Sequence, residues 1–306
     1  MNMNFLKKKD RPSENIAFIA IMAAINLIFV TISNFLPILF LLLVFVLPLT
    51  SLLVALSCKK MYIPIYFVTT ILLCLAVNFG FGLFDTFIYV IPSLITGILF
   101  GILINKKVPA IIILIVNVIV QFGLTYLTFF IIDNFITGIN FYNSLFTLFG
   151  LQEFPYIGIL TIIFTYIIAL IQISLTYLIV KYALGRLEIE LNLELKSRLW
   201  VYIPILIALI LMILSLFYFS DWSILFTLIV VPLIIYEFIE LAMSKRIWVY
   251  VGLTISLLVF VFIFAFLYQY IPAPNSVILI YIFFVLVTIL DILFNYCFKL
   301  KGKKIE

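Results

Sequence analysis

The chain is a succession of long apolar runs separated by short polar breaks, and the length of the runs names the solvent. A hydrocarbon core about 30 Å thick is crossed by about 20 helical residues. Runs of that kind occur at roughly residues 15–33, 38–57, 62–79, 86–104, 108–132, 156–180, 199–219, 223–243, 247–268 and 276–298. In lipid the backbone must satisfy its own hydrogen bonds within the segment, so each run predicts a helix. The expected fold class is all-α: a polytopic integral membrane protein of about ten transmembrane helices.

The breaks carry the orientation. Lys7, Lys8, Lys9 and Arg11 precede the first run, Lys59 and Lys60 follow the second, and Lys106 and Lys107 the fourth. Lys181, Arg186, Lys196 and Arg198 follow the sixth, Lys245 and Arg246 the eighth, and Lys299, Lys301, Lys303 and Lys304 the tenth. These are all 18 Lys and Arg residues of the chain, and a single threading places every one on the same side. By the positive-inside rule that side is cytoplasmic, which predicts a multi-pass cell-membrane protein with both termini inside. Composition agrees: 67% of residues are hydrophobic and 10% charged, against about 25% charged in soluble domains, and the mean hydropathy is +1.39. The net charge of +5 then follows from topology and points to no nucleic-acid partner. The stretch 16–32 is longer than a signal-peptide core and no small-x-small site ends it, so it reads as a retained helix. The three cysteines, Cys58, Cys74 and Cys297, read as packing residues.

Three parts are expected: a six-helix membrane domain over 1–182, a charged cytoplasmic linker over 183–198, and a four-helix membrane domain over 199–306. In the linker, Leu187, Ile189, Leu191, Leu193 and Leu195 alternate with Glu188, Glu190, Asn192, Glu194 and Lys196. That is a strand period, yet Leu, Glu and Lys are strong helix formers and a lone strand leaves its backbone unpaired, so an interfacial or extended helix is expected. The longest external connection, 133–155, places Phe141, Leu145, Leu148 and Phe149 at helical spacing. It reads as a short amphipathic helix, either resting on the lipid or covering an outward cavity.

The chain has no phosphate-binding Gly-rich loop with Lys and Ser/Thr, no histidine and no cysteine cluster. No cofactor or metal is therefore expected, any ATP-driven process needs partner subunits, and an acid, base and nucleophile set for an enzyme is not found.

Small residues form two faces. Ala17, Ala20 and Ala24 line one side of the first helix, with Ala23 beside them, and Ser93, Gly97 and Gly101 line one side of the fourth. Flat faces let helices approach closely in lipid, so the glycine face reads as packing within the chain. The alanine face reads either as the same or as a docking surface for another membrane protein. An N-terminal basic stretch, an alanine-rich first helix, then Phe45-Val46-Leu47-Pro48-Leu49, and six spans with both ends inside resemble the substrate-binding S components of energy-coupling-factor (ECF) vitamin transporters. The length and the extra C-terminal spans are similar to the YybS-like membrane family, whose N-terminal part is itself S-component-like. The resemblance covers roughly residues 10 to 182. It implies that Ala20 and Ala24 contact a membrane coupling subunit that works with separate ATPases, and that later helices and external loops hold a small molecule near the outer side.

Candidate substrate contacts are polar residues expected in or above the outer half of the six-helix part: Asn78, Asp85, Tyr89, Gln121, Thr125, Tyr126 and Asp133. A buried amide in lipid needs partners, so Gln121 and Asn117 face either other helices or a cavity. An outer face without Lys or Arg argues against a strongly anionic ligand unless a cation accompanies it. In the C-terminal part Glu237 stands eight residues before Lys245, and Asp291 eight before Lys299, about 12 Å inside the cytoplasmic flank. With Glu240 they are candidates for a cation or proton site, or for structural hydrogen bonds. Three readings follow: an S-component-like protein binding a small, mostly uncharged nutrient; a proton- or cation-coupled secondary transporter using Glu237, Glu240 and Asp291; and a non-transporting membrane scaffold.

Overall fold

The computed structural model describes residues 8–36, 40–79, 89–131, 157–186 and 247–268, with isolated positions elsewhere. Among the described residues there is no strand. The chain divides into two compact units, Met1–Leu193 and Glu194–Glu306, a division inside the charged segment 183–198. The first unit holds α1 (Pro12–Phe35), α2 (Phe40–Ser57), a 3-10 turn (Lys60–Tyr62), α3 (Ile63–Asn78), α4 (Ile91–Asn105), α5 (Ala110–Ile131) and α6 (Ile157–Arg186). The second contributes α7 (Ile247–Tyr268), which coincides with the ninth apolar run.

Among the described residues, four stretches are long and apolar enough to cross a membrane: Pro12–Phe35, Lys60–Asn78, Ala110–Ile131 and Phe164–Leu184. Val46–Ser57, Ile91–Asn105 and Tyr250–Ile263 are apolar but shorter. The linker alternation at 187–196 lies outside the described residues, as does the external amphipathic segment apart from Asn134 and Thr147, both helical. Most of the seventh, eighth and tenth runs lies outside them too.

The helices turn their polar side chains inward, among apolar ones, and apolar side chains outward. α3 buries Tyr66, Thr70, Cys74 and Asn78 at four-residue intervals and exposes Ile65, Val68 and Leu72. α5 buries Asn117, Gln121 and Thr125 on one stripe and exposes Ile112, Ile119, Leu127 and Phe130. In water such a distribution forfeits the hydrophobic effect. In lipid, where tails solvate Leu and Ile as well as a core does, helices associate through small residues and hydrogen bonds instead. On α1 the buried stripe is Asn15, Phe18, Ile19, Met22, Ala23, Asn26, Val30 and Ser33. Ala17, Ala20 and Ala24 lie off that stripe and are exposed.

The most extensive packing is between α2 and α4; α1 packs on α2 and α3, and α5 on α4 and α6, while α6 also reaches α2. Glycine permits the first contact. A Cβ on Gly97 would lie 2.7 Å from both Pro48 Cα and Ser51 Cβ, and one on Gly101 would lie 2.5 Å from Ala55 Cβ and 2.9 Å from the Leu52 carbonyl oxygen. The two backbones are therefore in near contact over a full turn. Pro48 removes one backbone donor from the interior of α2. Ser51 Oγ donates to the Leu47 carbonyl oxygen next to it at 2.8 Å, and Thr50 Oγ1 lies 2.9 Å from the same oxygen.

Hydrogen bonds gather three of the basic clusters at one end of this unit. The Lys9 amide donates to the Ser57 carbonyl oxygen at 2.8 Å. The Lys59 amide donates to Asn15 Oδ1 at 3.0 Å, and Asn15 Nδ2 donates to the carbonyl oxygens of Lys9 at 3.0 Å and Arg11 at 2.8 Å. Asn105 Nδ2 donates to the Ala55 carbonyl oxygen at 2.9 Å, bringing the end of α4 and the following lysines to the same place. The turn there is a Schellman motif: the Val108 amide bonds to the Leu103 carbonyl at 3.1 Å and the Lys107 amide to the Ile104 carbonyl at 2.8 Å. Lys107 takes the left-handed position usually held by glycine, with φ of 54°, and Pro109 then ends any continuation.

Candidate functional site

Among the described residues, two buried polar clusters each join three helices of the first unit, and they differ in whether their hydrogen bonds close. The first joins α1, α2 and α3. Asn26 Nδ2 donates to the Tyr66 hydroxyl at 2.7 Å, Thr50 Oγ1 donates to Asn26 Oδ1 at 2.7 Å, and the hydroxyls of Thr50 and Ser51 each lie 3.2 Å from that of Tyr66. Every polar side-chain group in this set has a partner in the set or on the backbone. It is a knot that fixes three helices beside Pro48 and offers nothing to a visitor.

The second cluster joins α4, α5 and α6, and it does not close. Gln121 Nε2 donates to Gln172 Oε1 at 2.9 Å and to Thr125 Oγ1 at 3.3 Å, and Gln172 Nε2 donates to Ser93 Oγ at 3.2 Å. Ser93 is fully buried, Gln121 is 1% exposed, Thr125 5% and Gln172 8%. Gln121 Oε1 has no hydrogen-bond partner. One turn earlier on the same stripe, the fully buried Asn117 donates from Nδ2 to the Ile113 carbonyl at 2.8 Å and leaves Oδ1 unpartnered.

Among the described residues, Ser57, Thr70 and Ser174 also carry buried hydroxyl oxygens without a partner. A hydroxyl can rotate to give its proton to a carbonyl one turn back in its own helix. An amide oxygen has no such recourse: it only accepts, and the backbone N–H groups around it are already used within the helix. An acceptor left so in a low-dielectric interior destabilises its surroundings by about 1–3 kcal/mol. Among the described residues of the unit, Asn117 and Gln121 are therefore the two positions that ask for a donor.

The expected contacts separate on this geometry. Gln121 and Thr125 come together, joined by Asn117, Ser93 and Gln172. Asn78 lies elsewhere, 1% exposed, and its Oδ1 accepts from Asn34 Nδ2 at 2.7 Å, which ties α3 to α1. Tyr126 is 46% exposed on the other side of α5, its ring 6.3 Å from that of Phe122. Tyr89 is half-buried at the turn leading into α4. Asp85, Asp133, Glu237, Glu240 and Asp291 lie outside the described residues. The sequence marks Ser93 only as part of the glycine face and does not set Gln172 beside Gln121. The signal it does carry for Gln172 is the one that marks Gln121, an amide in the middle of an apolar run.

The cluster consists of neutral amides and hydroxyls, a set suited to holding a ligand and not to moving protons. Among the described residues no group of three or more His, Cys, Asp or Glu is placed to hold a metal ion. Comparison of the chain with protein-family models, with curated proteins and with solved structures gives no match.

Proposed function

We propose that this chain is a multi-pass cell-membrane protein of ten spans with cytoplasmic termini. In this reading its first six helices bind a small, mostly uncharged nutrient for transport, without ATPase activity of their own. The carrying observation is the pair of unpartnered amide oxygens on Asn117 and Gln121, within a set of neutral polar side chains shared by α4, α5 and α6. The buried polar stripes of α3 and α5, set against their exposed Ile, Leu, Val and Phe, support the membrane setting. The meeting of three basic clusters at one end supports the threading, since the positive-inside rule needs them on one side.

Native mass spectrometry of the full chain, released gently from its own membrane, tests the binding reading. A co-purifying small molecule is expected on the wild type and not on Gln121→Leu, and a bare wild-type chain would count against nutrient binding. The exposed line of Ala17, Ala20 and Ala24 is the surface on which the S-component resemblance places a membrane coupling subunit. Ala20→Arg is expected to remove such a subunit from pull-downs while leaving the chain inserted, because a long charged side chain separates two flat helix faces. Undiminished recovery of the partner with Ala20→Arg would rule that assignment out.

A further inference from the structure

The two unpartnered positions are not equivalent, and their difference specifies a ligand. The side chain of Asn117 has one sense only: its Nδ2 is held by the Ile113 carbonyl at 2.8 Å, so the outward atom is Oδ1, an acceptor. Gln121 has two. As it stands, its Nε2 gives protons to Gln172 Oε1 and Thr125 Oγ1, and Gln172 Nε2 gives one to Ser93 Oγ. Both ends of this chain are hydroxyls, which donate or accept with equal ease. The same four side chains therefore bond equally well in reverse. Ser93 then donates to Gln172 Oε1, and Gln172 Nε2 and the Thr125 hydroxyl donate to Gln121 Oε1. The unpartnered atom of Gln121 is now Nε2, a donor. Position 117 always requires a donor, while position 121 accepts either kind of group. Four residues apart on one helix, the two side chains start about 5–6 Å from each other.

The geometry points to an amide-recognition site: Asn117 and Gln121 take the N–H/C=O edge of a small neutral carboxamide, lactam or ureide, and the Ser93–Gln172–Gln121–Thr125 chain sets its polarity to match. The ligand N–H goes to Asn117 Oδ1 and the ligand carbonyl accepts from Gln121 Nε2. A primary carboxamide fits either sense, because its second N–H can meet Gln121 Oε1. A carboxylate fits neither, having no donor for Asn117. A metal cation would find two unpartnered amide oxygens and no carboxylate among these five side chains, too few to replace its water. The assignment deepens the nutrient-binding reading and rests on it.

The test is thermal unfolding of the full chain in lipid nanodiscs with two matched probe pairs: nicotinamide against N,N-dimethylnicotinamide, and uracil against 1,3-dimethyluracil. In at least one pair the parent amide is expected to raise the unfolding midpoint at a concentration tenfold or more below that of its N-methylated partner. Asn117→Leu is expected to erase that preference while unfolding, without probe, at or above the wild-type temperature, since it removes an acceptor that had no partner. Equal responses within both pairs overturn the inference. So does a preference that survives in Asn117→Leu, or a loss of stability in that variant without probe, which would make the side chain structural. If native mass spectrometry finds a bound molecule with no N–H beside a carbonyl, the amide assignment falls and nutrient binding stands; if it finds none, both fall.

Discussion

Gly97→Val is expected to separate α2 from α4 and to lower the stability of the first unit by about 3 kcal/mol, the upper part of the range for overpacking. The obstacle is the kind of atom that would have to move. At Gly97 a new Cβ meets the backbone of Pro48 and the Cβ of Ser51, and neither can rotate away as the far end of a long side chain can. Pro48 sits in the middle of α2, and the residues after it bind Tyr66 and Asn26 in the closed knot, so a displaced α2 also pulls on α1 and α3. Gly123 on α5 is the control. A Cβ there has nothing within 4 Å, and Gly123→Val is expected to stay within about 0.5 kcal/mol of wild type, as surface substitutions do. Unfolding midpoints in a graded denaturing detergent give the comparison, and equal losses at the two positions would refute the account of the α2–α4 contact.

The length of the apolar runs was enough to locate the described helices. The runs at 15–33 and 108–132 appear as Pro12–Phe35 and Ala110–Ile131, and the run at 247–268 has the same limits in α7. Apolar length is a property of one dimension, and the sequence carries it directly. Lys181 bounds the sixth apolar run at about 180 without ending the helix. α6 continues to Arg186 and buries Leu184, since a lysine on a long stem does not interrupt the backbone ladder.

What the sequence did not display is direction around each helix. In a soluble helix the apolar stripe marks the inside, but here the positions on every side are Ile, Leu, Val and Phe, and apolar patterning points nowhere. Depth could still be counted from the lysines, and counting grouped Asn78 with Gln121 and Tyr126. The structure instead sends Asn78 to Asn34, Gln121 to Gln172 and Tyr126 to the outside. The usable signal was the sparse polar residue itself. Asn117, Gln121 and Thr125 stand four apart, as do Tyr66, Thr70, Cys74 and Asn78, and that spacing marks the inward stripe of each helix. Asn15 escaped notice for the opposite reason. It stands among charges at the end of a run, where an amide reads as solvated.

Asn15→Leu is the second large effect expected, about 2–3 kcal/mol of lost stability, and it comes from a side chain that is fully buried at the basic end. Its amide holds the carbonyls of Lys9 and Arg11 with one end and the Lys59 amide with the other, so one residue fastens the N-terminal segment to the turn between α2 and α3. Leucine fills the space but offers neither donor nor acceptor. Cys58, adjacent to that turn, gives a local readout. It is 4% exposed, and burial pushes its thiol up to about 11, with the positive charge of Lys9 opposing the shift only in part. Maleimide reacts with the thiolate, so at pH 7.5 the wild-type cysteine is both covered and protonated, and labelling is slow. Once the turn loosens, the thiol returns toward its ordinary value of 9.0, and its thiolate fraction at that pH rises on the order of a hundredfold. With Cys297→Ser as background, leaving the fully buried Cys74 as the other thiol, the labelling rate of Cys58 is expected to climb accordingly in Asn15→Leu. A rate equal to wild type would mean that the N-terminal segment is held by the other contacts, the Lys9 amide on Ser57 and the Lys9 ammonium over the Phe18 ring at 5.3 Å.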